Sequence, residues 1–118
     1  MSLYSVEIIQ VGECALEALE DDMLILFNQS VPADAAEYCF VHTHDQLKGE
    51  IAVGGEVIID GNTYPITAVG DGVNQNLGNL GHITLRFDAS SEADFVGSLH
   101  LAGPQPRSLG VGSTIRFI

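Results

Sequence analysis

Two of the four histidines in this chain stand one residue apart, in Glu37-Tyr38-Cys39-Phe40-Val41-His42-Thr43-His44, behind an aromatic and β-branched run. Such a run favours extended structure. Alternation along a strand then puts Tyr38, Phe40, His42 and His44 on one face and Cys39, Val41 and Thr43 on the other. The polar residues Asp45, Gln46, Lys48 and Gly49 that follow read as strand end and turn, so the two imidazoles are expected near a rim that a partner can reach. A neutral imidazole carries a nucleophilic nitrogen and can hold a phosphoryl group covalently, while a second one beside it can hydrogen-bond the phosphoryl oxygens. The same spacing can serve a metal ion in a cupin-like barrel. That motif needs an acid a few residues beyond the second histidine, where Lys48 and Gly49 stand instead, with Glu50 just outside. Cys39 faces the other way and neither His82 nor His100 lies in a ligand motif, so no metal and no cofactor is expected. A third reading makes the histidines incidental on a non-enzymatic β-barrel binding module.

The elements that must position this pair are short and mostly extended. Residues 3–11 alternate, with Tyr4, Val6 and Ile8 on one side, and suit a first strand ending at Gly12. Residues 13–19 suit a short helix, and residues 23–27 are apolar on both faces, as in a strand covered on both sides. Residues 31–36, carrying Pro32, connect to the histidine strand with room for one helical turn. Asp60-Gly61 between 56–59 and 63–69 is the clearest hairpin, and Pro65 on its return arm implies an edge or a bulge. Residues 70–81 are polar and glycine-rich and read as a loop containing at most a helical turn. Strands follow at 82–87, at 98–102 with His100 outward, and at 112–118. Seven to nine short strands with tight turns predict an all-β fold: a small, mainly antiparallel β-barrel or barrel-like sandwich with a few short helical turns.

With 118 residues, of which 46% are hydrophobic, the chain can bury a core as a single domain over 1–118. Sixteen acids against four bases give a formal charge of −12, which repels nucleic acid and anionic membrane surfaces. The longest apolar stretch, 23–27, is far short of the ~20 residues a spanning helix needs, and Met-Ser-Leu-Tyr is no signal start, so a cytoplasmic protein without membrane insertion is expected. Cys14 and Cys39 are too few for a disulfide framework and read as structural thiols. No phosphate-binding glycine loop is present.

Several blocks in order carry a family resemblance. The run from Glu37 to His44 with Leu47-Lys48-Gly49, then Tyr64-Pro65-Ile66-Thr67-Ala68-Val69-Gly70, then Asn79-Leu80-Gly81-His82-Ile83-Thr84-Leu85-Arg86-Phe87-Asp88, resembles the glucitol/sorbitol-specific IIA component of the bacterial sugar phosphotransferase system. The segment 97–106 and Gly112-Ser113 extend the likeness along nearly the whole chain. The resemblance implies a phosphotransferase component that accepts a phosphoryl group from the histidine-containing phosphocarrier protein. It implies onward transfer to a cysteine of the IIB part of a sorbitol permease with IIB and IIC components, without direct sugar binding. It puts the phosphoryl group on His42, with His44 assisting. Lys48 in the turn and His82 beside Gly81 are the further candidates for phosphate contact, and the acidic bias suits a basic docking face on the phosphocarrier.

Overall fold

The computed structural model describes residues 2–118; Met1, the first residue of the Met-Ser-Leu-Tyr start, lies outside the described residues. Eight strands are found among them: β1 (Tyr4–Val11), β2 (Met23–Asn28), β3 (Phe40–His42), β4 (Glu56–Ile59), β5 (Asn62–Val69), β6 (Ile83–Arg86), β7 (Ser98–Leu101) and β8 (Thr114–Phe117). They close into a barrel in the order β1-β3-β2-β6-β7-β5-β4-β8, with β8 returning to pair with β1. Closure leaves no free sheet edge, so Pro65 is accommodated by a bulge, the register against β7 shifting between Ile66 and Ala68. Six of the eight ladders are antiparallel. The two parallel ones, β2 with β3 and β6 with β7, each require a crossover of about a dozen residues.

Local chemistry accounts for most of these elements. In β1, Tyr4, Val6 and Ile8 are buried while Ser5, Glu7 and Ile9 are exposed. At the β4–β5 turn Asp60 and Gly61 both take positive φ, 49° and 87°, the paired left-handed conformation that matches the strand twist. The barrel interior is filled by Tyr4, Ile8, Leu24, Leu26, Phe40, Leu99 and Phe117 among others, each fully buried. A second, outer cluster of Phe27, Cys39 and Val41 lies under the first crossover, which carries the helical turn α2 (Ala33–Ala36).

Two helices complete the fold, α1 (Ala15–Glu20) and α3 (Val73–Leu80). The second corrects the loop reading of 70–81. Val73 and Leu77, four residues apart, share a face and pack into the core, and that burial outweighs the poor intrinsic propensity of the Asn and Gly residues around them. Gly81, at φ 59°, ends α3 in the left-handed conformation, its N–H donating back to the carbonyl of Leu77. Asn74 on α3 accepts from the N–H of Ile51 at 2.6 Å and donates to its carbonyl at 3.0 Å, holding the segment after β3 against the helix.

Candidate functional site

The site grows from the end of β3. That strand is only three residues long, shorter than the alternating run suggested, and lies between β1 and β2 with Phe40 and His42 turned into the barrel. Tyr38, expected on the same strand face, is 52% exposed, because the chain is still in the turn after α2 and has not joined the sheet. Beyond His42 the backbone leaves regular structure but keeps running beside β1. Thr43 donates its N–H to the carbonyl of Glu7 at 2.9 Å, the Ser5 N–H donates to Asp45 Oδ2 at 2.8 Å, and the Lys48 N–H donates to the carbonyl of Leu3 at 2.9 Å.

His42 is at the strand end, as expected, but it is not open to solvent: its exposure is 0%. Each ring nitrogen lies against a main-chain carbonyl, Nδ1 at 2.7 Å from Thr43 O and Nε2 at 2.8 Å from Gly81 O. Burial holds the imidazole below its ordinary pKa of 6.5, the two carbonyls pull it back up, and His44 lowers it further. A neutral imidazole has one N–H to offer two acceptors, so one ring nitrogen must present its lone pair to a carbonyl oxygen. His44, past the strand end, is exposed.

The Tyr4 ring packs edge-on against His42, centroids 6.1 Å apart, with Phe117 at 5.9 Å from it. Tyr4 is fully buried and its hydroxyl has no hydrogen-bond partner among the described residues. Burial and the nearby Asp45 carboxylate push its pKa up to about 12, with the Asp45 backbone N–H pulling the other way. For Asp45 itself burial pushes the carboxyl up, but the N–H groups of Ser5 and Gln46 and the Lys48 ammonium outweigh it and hold the pKa below the usual value. Lys48 Nζ lies 3.3 Å from Asp45 Oδ1, so its charge is already paired on the surface.

His82 is on a different face from His42. Its ring stacks on Phe27 at 4.3 Å, above the outer cluster, and Nδ1 lies 2.9 Å from Leu26 O. The Gly81-His82 step nevertheless borders the site, through the Gly81 carbonyl. His42, His44 and the Asp45–Lys48 pair therefore gather at one end of the barrel, while the His82 ring remains outside it. No three His, Cys, Asp or Glu side chains come together to hold an ion among the described residues. Neither Tyr4 nor Gly81 was placed at the site from the sequence. The alternation of β1 marks Tyr4 as inward, and Gly81 after a helical stretch is a C-cap signal, yet neither pattern says that both meet His42.

His100, expected outward, is 1% exposed. The β6–β7 crossover folds back over it, so that Nδ1 lies 2.7 Å from Asp88 Oδ1 and Nε2 3.1 Å from Asp94 Oδ1. Arg86 adds a 2.7 Å ion pair to the other oxygen of Asp94. Both thiols are free; burial raises Cys39, and desolvation with Glu37, Glu17 and Glu13 raises Cys14, which makes thiolate chemistry unfavourable at either.

The barrel is shared with a solved phosphotransferase-system IIA component. The crystal structure of the PTS system IIA component from Enterococcus faecalis V583 superposes with a TM-score of 0.82 over 98% of this chain and 99% of that one, at 23% identity. In sequence, residues 3–116 match the family of PTS system glucitol/sorbitol-specific IIA components. The glucitol/sorbitol-specific EIIA components of Escherichia coli (strain K12) and Shigella flexneri are each 45% identical over 115 residues, covering 98% of this chain and 94% of theirs. The chain belongs to the glucitol/sorbitol-specific IIA family of the phosphotransferase system, and is thus a phosphotransferase component.

Proposed function

We propose that the protein is a single-domain cytoplasmic phosphoryl carrier for sorbitol (glucitol) uptake, with His42 as the acceptor and His44 as an assisting donor. It takes the phosphoryl group from the histidine-containing phosphocarrier protein and passes it to a cysteine of the IIB component of the sorbitol permease. The observation that carries this reading is the state of His42: a buried imidazole at the barrel end, held at both nitrogens by main-chain carbonyls, in a chain of this family.

The two carbonyls have different consequences. Thr43 O belongs to the next residue and travels with His42, so an Nδ1–H donated to it fixes the tautomer. Gly81 O comes from 39 positions away, at the C-cap of α3, and can be withdrawn independently. Nε2 then presents its lone pair and is the nucleophile. The Nε2–P bond forms as the N–P bond of the donor phosphoimidazole breaks, and the electron pair of that bond stays on the donor ring. In onward transfer the cysteine thiolate attacks phosphorus and the Nε2–P pair returns to His42. His44 donates a hydrogen bond to a phosphoryl oxygen as charge builds, and Lys48, once drawn from Asp45, is a second contact. His82 contributes through the Gly81-His82 backbone that covers Nε2.

The test is incubation with phosphoenolpyruvate, enzyme I and the phosphocarrier protein, followed by intact mass and peptide mapping. The wild type gains one acid-labile, base-stable group on His42, with phosphorus on Nε2 by heteronuclear NMR. His42→Ala gains none, and His44→Gln is labelled but transfers onward about 10–1000-fold more slowly, the scale of one well-placed donor. Label on His44, His82 or His100, or uptake by His42→Ala, overturns the assignment.

A further inference from the structure

We propose that Tyr4 is a further hydrogen-bond donor of the carrier site, its hydroxyl holding an oxygen of the phosphoryl group on His42 from inside the barrel. The inference rests on His42 being the phosphoryl acceptor. Its own foundation is a buried hydroxyl without a partner. Tyrosine hydroxyls almost always find one when buried, since leaving a polar group dry and unpaired is costly, and Phe would fill the same space without that cost. Tyr4 is 0% exposed and its O–H has no acceptor among the described residues, the Asp45 N–H lying near its oxygen without a formed hydrogen bond, while its ring packs edge-on against the imidazole that would carry the phosphoryl group. An unpaired donor at that position points to an acceptor that arrives during turnover.

The surroundings identify that acceptor as anionic and transient. Tyr4 remains protonated through neutral pH and therefore donates. Asp45 stands near the hydroxyl, and its carboxylate is already occupied by the Ser5 and Gln46 N–H groups and by Lys48. The hydroxyl is thus left over from a carboxylate whose own bonds are satisfied elsewhere. A phosphoryl group on Nε2 brings three acceptor oxygens into this space when Gly81 O withdraws. His44 reaches them from the solvent side and Tyr4, edge-on to the imidazole, from the core side, giving donors on two sides of the group. Tyr4 loses no proton and no bond to it is made or broken; its contribution is a hydrogen bond that strengthens as charge develops on the phosphoryl oxygens.

Tyr4→Phe removes one oxygen atom and keeps the ring. The expected result is an unphosphorylated protein at least as heat-stable as the wild type, still labelled on His42 to one group per chain, but with single-turnover transfer slowed about 10–100-fold in both directions. The ³¹P resonance of its phosphohistidine should be displaced from the wild-type position. Phe117→Leu, which keeps the hydroxyl and loosens the packing on the far side of Tyr4, should leave the transfer rate within about twofold and the ³¹P resonance in place. Wild-type rates and an unmoved resonance in Tyr4→Phe overturn the proposal, as does an equal slowing in Phe117→Leu, which would reduce Tyr4 to packing. Failure of the wild type to carry label on His42 instead rejects the carrier reading itself.

Discussion

Gly81→Ala is the substitution that best tests how His42 is held. A Cβ built at Gly81 would stand 2.5 Å from His42 Cε1, 2.9 Å from Nε2 and 3.0 Å from Asn28 Cβ, all closer than such atoms pack. At φ 59° the new side chain also occupies a left-handed conformation, which costs about 1–2 kcal/mol for a non-glycine residue. The imidazole must move away from Gly81 O toward solvent, and forcing the extra methyl into so closely packed a place costs about 1–3 kcal/mol more. Together these give a loss of about 2–5 kcal/mol, or a thermal midpoint lowered by about 8–20 °C at about 4 °C per kcal/mol for a domain of this size. The ring should also titrate closer to its ordinary value. Burial is the largest influence depressing it and exceeds the upward pull of the Gly81 carbonyl, so both are lost and the larger loss decides the sign. Thermal unfolding followed by dichroism gives the first quantity, and the His42 Cε1–H resonance followed through pH gives the second. A Gly81→Ala protein that melts within about 2 °C of wild type, with the His42 pKa still depressed, would refute this account of the clamp.

Two further outcomes follow from the same geometry. Because the folded-state pKa of His42 is depressed, the unfolded chain binds more protons below about 6.5, and stability should fall as pH drops from there through the folded value. Asp45, Asp88 and Asp94 are all held below 3.8, so their contributions are complete above that value and disappear only in a second, more acid decline. Urea unfolding across this range should show both, and His42→Gln should flatten the upper one alone; an unchanged upper slope would exclude His42 as its source. Separately, His100→Leu strips the imidazole from Asp88 and Asp94, whose side chains remain about a third exposed and partly hydrated. It should cost about 1.5–3 kcal/mol, raise both aspartate pKa values, and speed amide exchange in residues 88–97 without changing label on His42. Unaltered exchange there would mean that the Asp-His-Asp contacts do not fasten the crossover.

Local pattern carried the strands. Tyr4, Val6 and Ile8 alternate inward because successive residues of any extended chain face opposite ways, and Asp60-Gly61 makes its turn because those residues tolerate positive φ, whatever lies elsewhere. Seven to nine short strands with tight turns, and His42 at a strand end, follow from such short-range chemistry, and the ordered blocks from Glu37 to Asp88 were specific enough to mark the family. Which segment covers which face is another matter, because it depends on barrel closure. His42 is sealed by a carbonyl 39 residues away, His100 by two aspartates on a crossover that folds back, and α3 exists because Val73 and Leu77 find a core to enter and Asn74 finds Ile51. Alternation can say that a side chain points inward, but only the packing of distant segments decides whether it meets water, carbon or a carbonyl oxygen. For an imidazole that difference determines which nitrogen is free to react.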